Sequence, residues 1–564
     1  MENKAIARKL RLLSQLMELH DVNPFKIKSV ANAAFKVDKL PFKLADKSYA
    51  ELEKIDGIGK SLAAKIVELL ETGTMAEMDS LIDNTPAGVV EMMGIKGIGP
   101  KKVAAIWRDM GIETVGELYY ACNENRLIEA KGFGLKTQED ILKVIEFVMA
   151  SHGKFLYAQV EPEAKGLMDE LRSVFDNILI EFAGEYRRKC EIINELVIVL
   201  GTRDPDMTAC TLLTSSALHS ITREGDCIIA QTANGLKVKI PCVERRYFFR
   251  TLFFETGNDE HVAAVMKRET EESDQPESEL LIYQKAGLAY MQPELREGDT
   301  FIEKAANDKL PQLIGFADLK GSLHNHSTWS DGVNTIEEMA AYCRDTMHLE
   351  YLGISDHSKS AVYAKGLSIE RVLQQHEEID HFNKSADGFY VFKGIESDIL
   401  GDGSLDYPEE ILKRFDFIVA SIHSNLKMDE EKATARLIKA IENPYTTMLG
   451  HPTGRLLLSR NGYTIDYKKV IDACAANNVV IEVNANPLRL DLDWRWHQYA
   501  LDKGVWLSIN PDAHRNEGFN DMQYGVWAAR KGGLYKERCL NALSLPEISR
   551  FFKTKILTEN AINA

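Results

Sequence analysis

No stretch of the 564-residue chain approaches the run of about 20 apolar residues that a membrane helix needs. The opening residues, Met1-Glu2-Asn3-Lys4-Ala5-Ile6, lack the apolar block of a secretory signal, so a cytoplasmic location is expected. None of the eight cysteines forms a Cys-x-x-Cys pair. That spacing speaks against a structural zinc site or a disulfide framework and suits free thiols in a reducing compartment. Positive charge is also in deficit. The formal net charge of −17 argues against a uniformly basic nucleic-acid binder. The deficit is uneven, however: residues 1–150 carry 21 Lys and Arg against 22 Asp and Glu, whereas the remainder carries 47 against 63. Local basic loops can hold phosphate without a basic whole. An apolar content of 45% with 27% charged residues is ordinary for globular protein, and the length predicts three to four domains.

What is present centres on His324-Asn325-His326-Ser327-Thr328-Trp329-Ser330-Asp331. Two histidines two residues apart on an extended segment share a face, and imidazole is the commonest metal ligand near neutral pH. Asp331 can swing back through the Ser330-Asp331-Gly332 turn. Alone, such a pair is more often two surface histidines. It is followed by Gly-Ile-Ser-Asp-His357, Phe-Lys-Gly-Ile-Glu396, Ile-Val-Ala-Ser-Ile-His423, Met-Leu-Gly-His451-Pro and Ile-Asn-Pro-Asp512-Ala-His514. Each ends a short apolar, β-like run, and barrels of strand-helix repeats carry their chemistry at such strand ends.

This series resembles the PHP (polymerase and histidinol phosphatase) family of metal-dependent phosphoesterases, which are distorted (β/α)7 barrels. The resemblance implies nine ligands for two to three divalent metals: His324, His326, Asp331, His357, Glu396, His423, His451, Asp512 and His514. Glu396 matches the family's bridging position, and Asp331, Glu396 and Asp512 are the expected catalytic carboxylates. Imidazoles mixed with carboxylates suit manganese first, with zinc or iron as alternatives. A bridged metal pair would activate water, so no serine or cysteine nucleophile is required. Lys359, Arg455 and Arg489 are candidate phosphate contacts, though each could equally be an ordinary surface cation. Asp356, Glu482 and Asn484 are placed to orient ligands.

Upstream, residues 3–20 have helical apolar spacing (Ile6, Leu10, Leu13, Leu16, Met17), and Pro24 and Pro41 punctuate two further helical stretches. Ile55-Asp56-Gly57-Ile58-Gly59-Lys60 then precedes an amphipathic run and reads as a helix-hairpin-helix turn, in which glycines make the bend and the next helix start can cradle a phosphate. It recurs as Ile95-Lys96-Gly97-Ile98-Gly99-Pro100-Lys101-Lys102 and, loosely, as Lys131-Gly132-Phe133-Gly134. One such turn is a weak signal. Three, each with lysine nearby, favour sequence-independent contact with a DNA backbone through Gly57, Gly59, Lys60, Lys65, Gly97, Gly99, Lys101 and Lys102.

The arrangement resembles the bacterial family X DNA polymerases (PolX), which join an 8-kDa domain, fingers, palm and thumb to a PHP domain. The resemblance implies a multidomain α+β chain: an 8-kDa-like helical domain over 1–85, a fingers-like domain over 86–150, palm and thumb over 151–310, and the PHP barrel over 318–564. It also puts Lys65 at the position of a Schiff-base lyase lysine, although a lysine there is more often merely solvated. The acidic run 269–278 reads as an exposed loop.

In the palm the sequence departs from the family. Where the family has Gly-Ser-x-Arg-Arg, this chain reads Gly184-Glu185-Tyr186-Arg187-Arg188. The paired aspartates that hold two magnesium ions are Glu195 and Val197, and the third carboxylate position is Lys239. Valine cannot ligate magnesium, and a lysine there puts a cation where a dication should sit. At about 4 Å and an effective dielectric near 20, each such like-charge contact costs a few kcal/mol. Polymerase activity is therefore expected to be lost, although a different carboxylate, such as Glu191, could in principle substitute. Three functions are carried forward. The first is a DNA-binding 3′→5′ exonuclease in DNA repair, monomeric and acting on gapped or single-stranded ends. The second is a phosphatase for a small phosphate ester, and the third a DNA-binding scaffold without catalysis.

Overall fold

The structure is a computed structural model. It describes all residues except 41, 96, 131, 151–152, 176–177, 214, 216, 270–274, 387 and 563–564. Pro41, Lys96 and Lys131 of the sequence motifs, and part of the acidic 269–278 run, lie outside the described residues. The chain divides into two units, Met1–Glu146 and Phe147–Ala564.

The first unit is helical. Helix Asn3–Leu19 buries the stripe that its spacing announced, Ile6, Leu10, Leu13, Leu16 and Met17. Helix Pro24–Asp38 packs against it, started by proline in its first turn and by the Asn23 side chain, which accepts from Phe25 N at 2.9 Å. All three hairpin turns share one backbone. Gly57, Gly97 and Gly132 have φ of 85°, 97° and 91°, a left-handed conformation that L side chains resist. Each turn is closed by the same bond pattern: Ile58 N to Ile55 O, Ile98 N to Ile95 O, and Phe133 N to Ala130 O, at 2.9, 3.2 and 3.1 Å. Gly59 and Gly99 are extended caps that open helices Lys60–Thr72 and Pro100–Ala104.

The second unit begins with a five-stranded sheet: β1 (Leu179–Ala183), β2 (Glu195–Thr202), β3 (His219–Glu224), β4 (Cys227–Gln231) and β5 (Lys237–Glu244), in the order β1-β2-β5-β4-β3. β2 and β5 run parallel, with Glu195 opposite Lys237 and Val197 opposite Lys239. Helix Tyr157–Val174 covers this sheet through Val160, Leu167, Met168 and Leu171.

Short helices, among them Phe248–Thr256 and Asp259–Met266, follow with a core of their own, and from Gly321 onward the chain is a (β/α)7 barrel. Among the described residues its strands are β6 (Gly321–Ser322), β7 (Tyr351–Ile354), β8 (Tyr390–Asp398), β9 (Phe417–Ser421), β10 (Met448–Leu449), β11 (Val480–Asn484) and β12 (Leu507–Asn510). They pair in chain order, all parallel. A bridge from Asn325 to Ala513 joins the two outer strands just past their ends, with His326 N bonded to Ala513 O at 2.8 Å. These strands are buried almost throughout, as expected of a parallel sheet covered by helices. Phe417 fills the barrel floor, and a Cβ on Gly353 or Gly394 would stand 2.6 or 2.2 Å from its ring. Ile548 and Phe552 of the C-terminal helix plug the same end.

Candidate metal centre and nucleic-acid interface

The strand ends opposite that floor carry the chemistry. His324 and His326 follow β6, His357 follows β7, Glu396 lies on β8, His423 follows β9, His451 follows β10, and Asp512 and His514 follow β12. With Asp331, which lies in the turn after His326, the structure brings all nine sequence-predicted ligands into one cluster. Glu396 is at its centre: its two oxygens lie 3.3 Å from His324 Nε2, 2.9 Å from His357 Nδ1, 3.1 Å from His423 Nε2 and 3.0 Å from His451 Nε2. Asp512 Oδ1 is 3.0 Å from His326 Nε2, and Asp331 lies 3.5 Å from both His357 Nε2 and His514 Nε2. Asp512 and His451 hold positive φ, 54° and 21°, the backbone strain expected where geometry is set by a site.

The donor set fits divalent metals. Four groupings, His326-Asp331-His357-His514, His324-His451-Asp512, His324-His326-Glu396 and His357-Glu396-His423, each place their ligand atoms within 4.8 Å of one another. His324 Nε2, both ring nitrogens of His326, His357 Nδ1, Asp331 Oδ2 and Glu396 Oε2 are buried there without a hydrogen-bond partner. Buried polar atoms are almost always satisfied, so this convergence of orphans fits a site that binds cations.

The electrostatics agree. Burial opposes charge on His324, but the carboxylates of Glu482, Asp512 and Glu396 outweigh it and hold the ring well above its ordinary value. His357 and His423 are raised in the same way, against burial, chiefly by Asp331 and Glu396 respectively. Glu396 and Asp512 lie well below the carboxylate range because neighbouring rings outweigh their burial. Burial, with the charges of His514 and His357, pushes His326 down to about 3.

A surrounding layer of side chains fixes the rings. Glu482 bonds His324 Nδ1 at 2.7 Å and accepts from His451 N at 2.8 Å and from Asn510 Nδ2 at 3.1 Å. Asn484 Nδ2 donates to Asp512 at 3.1 Å. Asp356 accepts from Ser327 N, Ser327 Oγ and Gln375 Nε2 at 2.8, 2.6 and 2.6 Å, holding the loop between His326 and Asp331. The sequence reading missed Asp398, which bonds His423 Nδ1 and Ser360 Oγ. It stands two residues after Glu396 on β8, the strand spacing that shares a face, so the signal was there. Of the candidate phosphate contacts, Arg489 is buried with its Nε 3.9 Å from Asp512, and Lys359 is exposed two residues after His357. Arg455 is otherwise engaged: its guanidinium bonds Asp493 and the carbonyls of Arg489 and Leu490, which makes it a clamp on the 489–493 loop.

In the five-stranded sheet the positions aligned with a polymerase metal site hold something else. Glu195 is paired with Lys237, and Lys239 Nζ lies 2.7 and 2.8 Å from the two oxygens of Glu255. Val197 is buried, its methyl beside Gly184. Glu185 accepts from Asn194 N and Nδ2 at 2.6 and 2.8 Å. Glu191, the possible substitute, faces Arg495 at 3.8 Å. Arg187 bonds Glu279 and Thr256, and Arg188 bonds Glu297 at 3.0 Å. Both are structural here.

In the first unit Lys60 and Lys101 are exposed at the starts of their helices, and open space stands over Gly59, Gly97 and Gly99. Lys102 Nζ reaches Gly97 O at 3.5 Å. Lys65 is drawn into an ion pair with Glu77, which also holds Lys26. That placement argues against the Schiff-base role, which needs a free neutral amine. One feature escaped the sequence reading. Phe25 and Phe35, 84% and 59% exposed, lie with Lys28 and Lys39 on the solvent face of helix Pro24–Asp38, opposite buried Val30, Ala33 and Val37. A mixed aromatic and basic helix face suits stacking and phosphate contact with a single strand.

Comparison with known proteins agrees with this geometry. Residues 1–75 match a helix-hairpin-helix domain, and residues 89–146 match a SAM-like helix-hairpin-helix tandem. A Bacillus subtilis (strain 168) protein described as "DNA polymerase/3'-5' exonuclease PolX" is 33% identical over 98% of this chain and 100% of its own length. Proteins described as "probable phosphatase" match about a third of the chain. One from Caldicellulosiruptor saccharolyticus is 30% identical over 35% of this chain and 80% of its own length, and one from Thermoanaerobacter sp. (strain X514) is 28% identical over 30% and 70%. With helix-hairpin-helix modules, a polymerase-like body and a PHP barrel in one continuous match, the chain belongs to the bacterial family X DNA polymerases, the PolX family.

Proposed function

We propose that the chain is a metal-dependent 3′→5′ exonuclease whose working site is the barrel, and that its palm no longer transfers nucleotides. The observation that carries this reading is the contrast between the two sites. In the barrel nine ligand-type side chains converge around Glu396 with buried, unpartnered donors and acceptors. In the palm two of the three carboxylate positions are Val197 and Lys239, the latter paired with Glu255, and the remaining Glu195 is paired with Lys237. No two-metal site assembles from Glu195 alone.

His324, His326, Asp331, His357, Glu396, His423, His451, Asp512 and His514 would hold two to three divalent ions, manganese first, with zinc or iron as alternatives. When bound, such ions supply Lewis acidity to the phosphodiester and lower the pKa of water. The chain's own contribution is positioning. Glu482 and Asp398 fix the orientation of His324 and His423, Glu396 presents both oxygens to four rings, and Arg489 adds a cation beside Asp512. The hairpin turns deliver the DNA backbone, and gapped or single-stranded ends are the expected substrates. The division into 8-kDa-like, fingers-like, palm-thumb and PHP parts, the monomeric state, the cytoplasmic setting and the role in DNA repair belong to this proposal. Among the described residues no helix is long and apolar enough to cross a membrane.

The phosphatase relatives favour a second reading, hydrolysis of a small phosphate ester at the same site. The two separate in one assay with manganese: release from labelled gapped DNA, with and without nucleotides, against turnover of p-nitrophenyl phosphate. The nuclease reading expects shortening of the labelled strand and weak monoester turnover. Efficient monoester turnover with intact DNA would overturn it.

A further inference from the structure

The loop that follows His357 presents two apolar side chains at the mouth of the barrel site. Val362 is 80% exposed and Tyr363 39%. The Tyr363 ring stands edge-on to the His357 ring, centroids 6.1 Å apart. Exposed apolar groups on a frayed loop would mean little, but this loop is pinned. Leu367 N bonds His357 O at 2.9 Å, Ser360 N bonds Asp406 at 2.7 Å, Ser360 Oγ bonds Asp398 at 2.9 Å, and Arg371 bonds Lys365 O at 2.6 Å. Gly366 passes so close that a Cβ on it would stand 1.9 Å from Ser358 O. The segment Val362–Ala364 is a short 3-10 turn held outward by that frame. Lys359 and Lys365, both exposed, flank the apolar pair.

A rigid aromatic beside two lysines, within one nucleotide's length of the proposed metal ligands, fits a base on its face and phosphates at its edges. A small phosphate ester has nothing to place there. We propose that Tyr363, with Val362 beside it, is the platform on which the base of the terminal nucleotide stacks while its phosphodiester lies at the barrel site. The inference rests on the nuclease reading and names what that site selects: nucleotide esters, through their base.

The test uses the full chain with manganese and two strands, one ending 3′ in an ordinary nucleotide and one ending in an abasic analogue. Tyr363→Ala should raise KM about tenfold on the ordinary end, the scale of a lost base–aromatic stack, and leave the abasic end unchanged. Tyr363→Phe should keep wild-type KM. Retained cleavage of the abasic end shows that the variant is folded. As a readout independent of turnover, a strand ending in 5-iododeoxyuridine should photocrosslink to Tyr363 in the chelated protein. Wild-type cleavage with Tyr363→Ala indistinguishable on both ends overturns the platform alone, as do crosslinks confined to other residues. A wild type that cleaves neither strand overturns the nuclease reading and the platform with it.

Discussion

Glu482 shows how much of the barrel site depends on a residue outside the nine. It is fully buried and orients His324 and the His451 backbone at once. Replacing such an outer partner weakens metal affinity by about 10- to 100-fold. Glu482→Gln should therefore lower manganese affinity by that range in a calorimetric titration and leave DNA binding to the first unit intact; unchanged affinity would remove its orienting role. The nine ligand-type residues were legible because they close apolar strand-like runs, a linear signal, with Asp331 in the turn that follows the first of them. Asn510 and Gln375 were not recognised, because their roles are defined by which carboxylate they meet in space. In the palm, the loss of carboxylates at Val197 and Lys239 was legible by position. The pairing of Glu195 with Lys237 was not, since it depends on the β2–β5 register.

At the scale of the element, the hairpins were read from Gly-x-Gly and flanking lysines, and the shared left-handed glycines explain why that short pattern suffices. Their contacts with phosphate should be insensitive to sequence. Changing Lys101 and Lys102 to glutamate should weaken binding to all sequences about equally and flatten the dependence of log affinity on log salt by roughly two contacts. A loss confined to some sequences would contradict the hairpin assignment. The same scale shows where periodicity misleads. Phe25 and Phe35 would ordinarily be counted toward a core, yet helix Pro24–Asp38 buries alanines and valines and turns its aromatics outward.

Across the second unit, a buried ionic chain ties the palm-thumb body to the barrel. Lys531 on the barrel side bonds Glu297 at 2.7 Å and Arg188 O at 3.0 Å, and Arg188 bonds the same Glu297. Burial would raise the Glu297 carboxyl, but Lys531 and Arg188 outweigh it and bring it to about 2, against an ordinary 4.5. Its folded value lies below its unfolded one, so its contribution is complete above about pH 4.5 and is lost as pH falls toward 2. Removing one partner of a buried pair costs about 3–5 kcal/mol. Lys531→Met should accordingly lower the melting temperature at pH 7, and the difference from wild type should shrink as pH falls through that window. An equal difference at all pH values would show that packing, not charge, sets the effect. The pairing was not visible beforehand, because Lys531 and Glu297 are distant in sequence and meet only in space.

The palm and the barrel together carry the central proposal, that one member of a polymerase family has kept the hydrolytic site and closed the synthetic one. From Val197 and Lys239 the proposal expects no templated incorporation, and primer extension by a protein carrying Asp512→Ala and His514→Ala would contradict it. The most direct measurement places wild type and Glu396→Gln side by side with manganese on 3′-labelled and 5′-labelled strands. Glu396 is the carboxylate that four histidines share. The account predicts strand shortening from the 3′ end by the wild type, stopped by chelator, and none by Glu396→Gln, which should still bind DNA. Equal cleavage by the two proteins would contradict it.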